Sequence, residues 1–165
     1  MKNLFLIRHA QTEKFSESNL DIDRKLTSEG MKVASLLGKY LKDEGVNPDA
    51  IVCSPAERAR MTAELVAGQV GYALNQIQIV DGLYQASVRE LVVYMSNFNQ
   101  KYKTVMLVGH NPTLSYTADY LCEEEISGMN PGSVIHIDFP IKSWAQLSVK
   151  GSGNFINYYD VLSDH

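Results

Sequence analysis

Leu4-Phe5-Leu6-Ile7 is an unbroken apolar run that stops at Arg8-His9-Ala10-Gln11-Thr12, where a cation and an imidazole arrive just as a strand should end. A run that is apolar at every position has no side meant for water. It therefore reads as a strand covered on both faces, as in a parallel sheet flanked by helices. Such strands deliver their C-terminal residues into a crevice at the sheet edge. Two more runs repeat the arrangement. Ala50-Ile51-Val52-Cys53 leads into Ser54-Pro55-Ala56-Glu57-Arg58, and Thr104-Val105-Met106-Leu107-Val108 ends in Gly109-His110-Asn111-Pro112. Three strand ends thus supply Arg8 and His9, Arg58, and His110. In a mostly parallel sheet these ends share one edge and can meet in one pocket. An arginine can grip two phosphate oxygens while a neutral imidazole nitrogen attacks phosphorus.

The intervening segments carry helix signals. Thr27 is placed to cap a helix with Met31, Ala34, Leu37 and Leu41 on one face and Gly45 as its stop. Ser54 reads as the N-cap of the next helix, with Pro55 in the first turn and Glu57 completing a capping box. Arg58 then lies at a helix start that can bind an anion, although a lone arginine can equally pair with Glu57 or face solvent, as Arg60 is expected to do. A weaker strand over 76–80 precedes a capping box of Ser87 and Glu90, whose helix buries Leu91, Met95 and Phe98. Asn111 and Pro112 read as the cap and opening of a further helix. Residues 11–26 form a long polar loop over the sheet edge. There Asp21, Asp23 and Arg24 read as a solvated cluster, or alternatively Arg24 folds in as a rim contact to a phosphate.

Residues 133–139, 145–149 and 155–159 read as short strands too closely spaced for crossover helices, hence antiparallel. His136 alternates with Ile135 and Ile137 and faces away from them, and His165 is a tail residue; neither is assigned to the site. Glu123-Glu124-Glu125 reads as a solvated face. The whole predicts one domain over residues 1–165, a three-layer α/β/α sandwich with a mostly parallel central sheet and antiparallel C-terminal strands.

Composition narrows the partners. A formal net charge of -4 disfavours a general nucleic-acid or anionic-membrane surface but permits a local basic pocket. Neither a leader segment nor a membrane span is expected, which points to the cytoplasm. Cys53 and Cys122 sit in apolar contexts and read as buried thiols rather than a disulfide. No metal or other cofactor is expected, because arginines beside the histidines oppose a cation.

Taken together, Arg8-His9-Ala10, Ser54-Pro55-x-x-Arg58-Ala59-x-x-Thr62-Ala63 and Gly109-His110-Asn111-Pro112 resemble the motifs of the histidine phosphatase superfamily, with its phosphoglycerate mutase-like fold. The Asp21-x-x-Arg24-x-Leu26 segment and Leu83-Tyr84-x-Ala86-Ser87 are most similar to the small SixA-like phosphohistidine phosphatases. The resemblance implies that His9 is the phosphorylated nucleophile and that Arg8, Arg58 and His110 bind the phosphoryl oxygens, with Arg24 as a further pocket residue. His110, if protonated, would add a third cationic donor. Many larger relatives place a proton-donating Glu in a Leu-x-Glu segment, where this chain has Leu83-Tyr84-Gln85 and so only an amide.

That departure bears on the leaving group. An alkoxide belongs to an acid with a pKa near that of water, about 15.7, and usually needs a proton to depart. An imidazole protonated on its other nitrogen leaves neutral, with a conjugate acid near about 6.5. Phosphohistidine in a protein therefore fits these residues better than a phosphate ester. The alternatives are a general small-molecule phosphomonoesterase, with an acid such as Asp21 or Asp23, and a non-catalytic phosphate-binding module.

Overall fold

The computed structural model describes residues 1–126 and 128–164, the side chain of Asp164 excepted, so His165 lies outside the described residues. The elements run β1 (Lys2–Arg8), α1 (Ser28–Asp43), β2 (Ala50–Cys53), α2 (Glu57–Val70), β3 (Gln78–Ile79), α3 (Val88–Ser96), β4 (Thr104–Gly109), α4 (Thr113–Cys122), β5 (Ser133–Phe139) and β6 (Asn154–Asp160). They form a six-stranded sheet in the order β3-β2-β4-β1-β5-β6. β1 to β4 pair in parallel, while β5 and β6 are antiparallel.

Both faces of the parallel strands are covered, which is why their sequences are continuously apolar. Leu4, Leu6, Val52, Val105 and Leu107 pack with residues of α3 and α4. Phe5, Ile7, Ile51, Cys53, Met106 and Val108 pack with residues of α1 and α2 on the opposite side. Each fully buried large side chain contributes about 1.5–3 kcal/mol relative to exposure, so the three-layer arrangement stabilises both helix pairs at once.

The Thr27 hydroxyl accepts the Gly30 N–H at 2.9 Å and caps α1 as expected. Its buried stripe holds Ala34, Leu37 and Leu41, but Val33 takes the place expected for Met31, which is exposed. The Ser87–Glu90 capping box is present at the start of α3. Cys53 and Cys122 are buried free thiols. Burial pushes them up to about 11 and about 12 respectively. Among the described residues no helix is long and apolar enough to cross a membrane.

Several local expectations need correction. Residues 145–149 are not a strand: Trp144–Ser148 is a 3-10 helix capped by Ser143 and Gln146. Trp144 and Leu147, three apart, fall on the same side of such a helix and are both buried. The strand expected over 76–80 contracts to two exposed edge residues, because Leu74–Gln76 turns first. Asn111 is not the N-cap of α4: the helix begins at Thr113 with Pro112 in the cap position, and Asn111 Oδ1 instead accepts the Ser115 N–H at 3.3 Å from one residue further out. Ser54 does not cap α2. Its N–H extends the sheet by donating to Val108 O at 3.1 Å, and Ala56 occupies the N-cap position instead.

Candidate active site

Sheet register builds the site. Arg8 lies opposite Gly109 in the β1–β4 pair, and Cys53 opposite Val108 in the β2–β4 pair. The ladder runs on for one step, with His9 N–H donating to Gly109 O at 3.1 Å. His9, Ser54 and His110 consequently leave the sheet at the same level. The two imidazoles face each other with centroids 5.3 Å apart and planes inclined by 58°.

His9 Nδ1–H donates to Ala10 O at 2.8 Å, which leaves Nε2 with its lone pair. Burial above all lowers the His9 pKa to about 4, with the guanidiniums of Arg58, Arg8 and Arg24 adding to the effect against the opposing Ala10 bond. His9 is therefore neutral at neutral pH. His110 Nε2 and Ser54 Oγ are hydrogen-bonded at 2.7 Å. Burial, then His9 and Arg58, lower its pKa to about 3, while Asp21 opposes them. His110 is thus a neutral group here, and the protonation that would make it a third cationic donor is absent near neutral pH.

Arg8 is pinned by its Nη1 donating to Met129 O at 2.7 Å. Its buried Nε has no partner among the described residues. Arg58 is almost wholly buried, donating from Nη1 to Asp21 O at 2.8 Å and from Nη2 to Asp21 Oδ2 at 3.0 Å. Arg24 reaches the cavity rim, where Nη1 meets Asp21 Oδ1 at 2.8 Å, Nε donates to Glu13 O at 2.8 Å and Nη2 donates to Thr12 Oγ1. Asp21 and Arg24 therefore line the cavity rather than forming only a solvated cluster. Arg60 pairs with Glu57 at 3.3 Å, as its sequence context suggested.

Arg8, His9, Arg24, Arg58 and His110 line one cavity of about 480 Å³, together with Thr12, Asp21, Tyr84, Gln85 and Asn111. His136 lies elsewhere, stacked on Phe5 at 4.2 Å and hydrogen-bonded to Asn3 Oδ1 at 2.8 Å. Four residues named in the sequence take supporting contacts that sequence reasoning did not assign to them. The Thr62 hydroxyl accepts the Ala10 N–H at 3.1 Å and donates to Arg58 O at 2.8 Å, clasping two site segments. Its spacing of four from Arg58 was the available signal. The Tyr84 hydroxyl donates to Asp21 Oδ2, and the roles of Asp21, Tyr84 and Ser54 depend on partners far away in sequence.

Three guanidiniums line one cavity with an imidazole nitrogen whose lone pair is free, an arrangement chemically suited to an oxyanion beside a histidine nucleophile. Comparison with known proteins gives the family. Residues 4–91 match the histidine phosphatase superfamily (branch 1), and the chain belongs to that superfamily. Uncharacterized protein Rv1276c of Mycobacterium tuberculosis (strain ATCC 25618 / H37Rv) is 30% identical over 149 residues, covering 88% of each chain. The proposed phosphohistidine phosphatase SixA of Nakamurella multipartitia superposes with a TM-score of 0.81 at 26% identity, covering 97% of this chain and 96% of that one. The protein histidine phosphatase SixA complexed with tungstate shares the fold, with a TM-score of 0.85 at 20% identity over 99% of both chains.

Proposed function

We propose that this chain hydrolyses phosphohistidine in a protein through a phosphorylated His9. The single observation that carries the reading is the hydrogen bond from His9 Nδ1–H to Ala10 O, which leaves Nε2 as an uncharged nucleophile beside Arg8 and Arg58. In the first step the Nε2 lone pair forms a bond to phosphorus as the substrate's P–N bond breaks, and that electron pair returns to the departing nitrogen. Arg8 and Arg58 stabilise charge on the equatorial oxygens, with Arg24 contributing from the rim. His110 supplies a hydrogen-bonding imidazole fixed by Ser54. A water oxygen then bonds to phosphorus as the P–Nε2 bond breaks, the electron pair returning to His9 Nε2 and the water proton passing to the phosphate oxygens or solvent, which releases inorganic phosphate.

Phosphomonoesters fit less well, because their leaving alkoxides call for a proton. Asp21 is held well below the usual carboxylate range by the Tyr84 hydroxyl first and by Arg24 and Arg58, so it stays ionised. Asp23 instead accepts a hydrogen bond from Ser18 at 2.7 Å, and Gln85 offers an amide. The test compares phosphate release from a histidine-phosphorylated protein with release from p-nitrophenyl phosphate and simple alkyl phosphates. A higher kcat/KM for the phosphoramidate is expected; a strong preference for the alkyl esters overturns the assignment.

A further inference from the structure

The Asp21 carboxylate lines the same cavity as His9. An attacking nitrogen and a departing one lie roughly in line on opposite sides of phosphorus. With His9 among the inner residues, the departing group exits past the rim. The rim carries Asp21, whose side chain is 52% exposed although it is tied to the buried Arg58. Among the described residues lining the cavity it is the one carboxylate.

Its hydrogen-bond inventory is incomplete in a useful way. A carboxylate offers about four acceptor positions. Oδ2 accepts from Arg58 Nη2 at 3.0 Å and from the Tyr84 hydroxyl, while Oδ1 accepts from Arg24 Nη1 at 2.8 Å. One position remains on Oδ1, on a group too well stabilised as an anion to donate a proton. Asp21 can accept an N–H at the pocket mouth.

We propose that Asp21 is the specificity-determining residue for the leaving group, its Oδ1 accepting the ring N–H of a phosphohistidine whose other ring nitrogen carries the phosphoryl group. This rests on the phosphatase reading given above. The ring takes its proton from solvent before attack, and accepting that N–H favours the protonated ring. When the P–N bond breaks, its electron pair stays on the departing nitrogen, the N–H stays on the other, and a neutral imidazole leaves without any proton from the protein. The same fixed negative charge repels leaving groups that depart as anions.

The test is the ratio of kcat/KM for a histidine-phosphorylated peptide to that for p-nitrophenyl phosphate, whose leaving group has no N–H. Asp21→Asn should lower this ratio at least about tenfold, the loss of one charge-assisted hydrogen bond. If both activities fall equally, Asp21 only holds Arg58 in place and the proposal is overturned, while a retained wild-type preference for phosphohistidine leaves the phosphatase reading standing. A wild-type protein that strongly prefers simple alkyl phosphates to the phosphoramidate overturns both. Should Asp21→Asn not fold, Asp21→Glu displaces the carboxylate by one methylene and should lower the same ratio; equal losses on the two substrates again refute the proposal.

Discussion

Ser54 Oγ stands 2.7 Å from His110 Nε2, joining the turn after β2 to the turn after β4. Ser54 is fully buried, and removing its hydroxyl leaves the imidazole without that partner. Ser54→Ala is expected to cost about 1–3 kcal/mol in urea unfolding. It should also reduce kcat/KM roughly tenfold by freeing the His110 ring. Full activity in this variant would show that the hydrogen bond does not orient His110.

The Thr62 hydroxyl tests the join between the His9 turn and α2. Thr62→Val keeps the shape but leaves the Ala10 N–H without its acceptor. A loss of about 1–3 kcal/mol is expected, with Thr62→Ser recovering most of it because the hydroxyl returns. Equal stability of the Val and Ser variants would count against the join.

His9→Asn is expected to abolish phosphorylation of the protein. Rapid quenching with radiolabelled phosphohistidine substrate should trap label on the wild type, and turnover by the variant should drop by roughly a thousandfold or more. Label that still appears on His9→Asn would move the nucleophile to another residue.

Acid should unfold the protein partly through its two site imidazoles. His9 titrates at about 4 and His110 at about 3 in the fold, against an ordinary value of 6.5. The unfolded chain therefore binds protons first as pH falls. The contribution is essentially complete above about pH 7 and is lost progressively down to the folded values, on the order of 5 kcal/mol between pH 7 and 4.5. Urea midpoints measured across this range should slope downward with acid, and the double variant His9→Asn/His110→Asn should be flatter. Parallel profiles would remove the histidines as the cause.

Gly132 donates its N–H to Arg8 O and His9 O at 3.1 Å each, from a backbone φ of 78°. A Cβ there would stand 2.6 Å from Val33 Cγ1. Gly132→Ala should destabilise the protein by at least about 1–2 kcal/mol from the left-handed conformation alone, read by thermal unfolding. A neutral effect would mean that the turn relaxes freely.

How legible the molecule was depends on whether each feature is local. The parallel strands could be read because residues 4–7, 50–53 and 105–108 are covered on both faces, and continuous apolarity is the direct imprint of that covering. The Thr27 and Ser87 caps could be read because donor and acceptor lie three residues apart. The antiparallel pairing of β5 and β6 followed from their close spacing along the chain. The strand expected at residues 145–149 failed although Ala145-Gln146-Leu147-Ser148-Val149 alternates as a strand would, because the Ser143 cap and the buried Trp144 and Leu147 set a 3-10 turn there instead.

Chemistry at the site divides along the same line. Arg8, His9, Arg58 and His110 stand out in the chain because each follows an apolar strand, and strand direction alone sends them to one edge. Their protonation and partners arise from the folded environment: burial that keeps both imidazoles uncharged, and a loop that swings Asp21 onto Arg58 and Arg24. Strand polarity is written in consecutive residues. The field at a nitrogen and the donors reaching a carboxylate are sums over groups that become neighbours when the sheet registers and the loop closes.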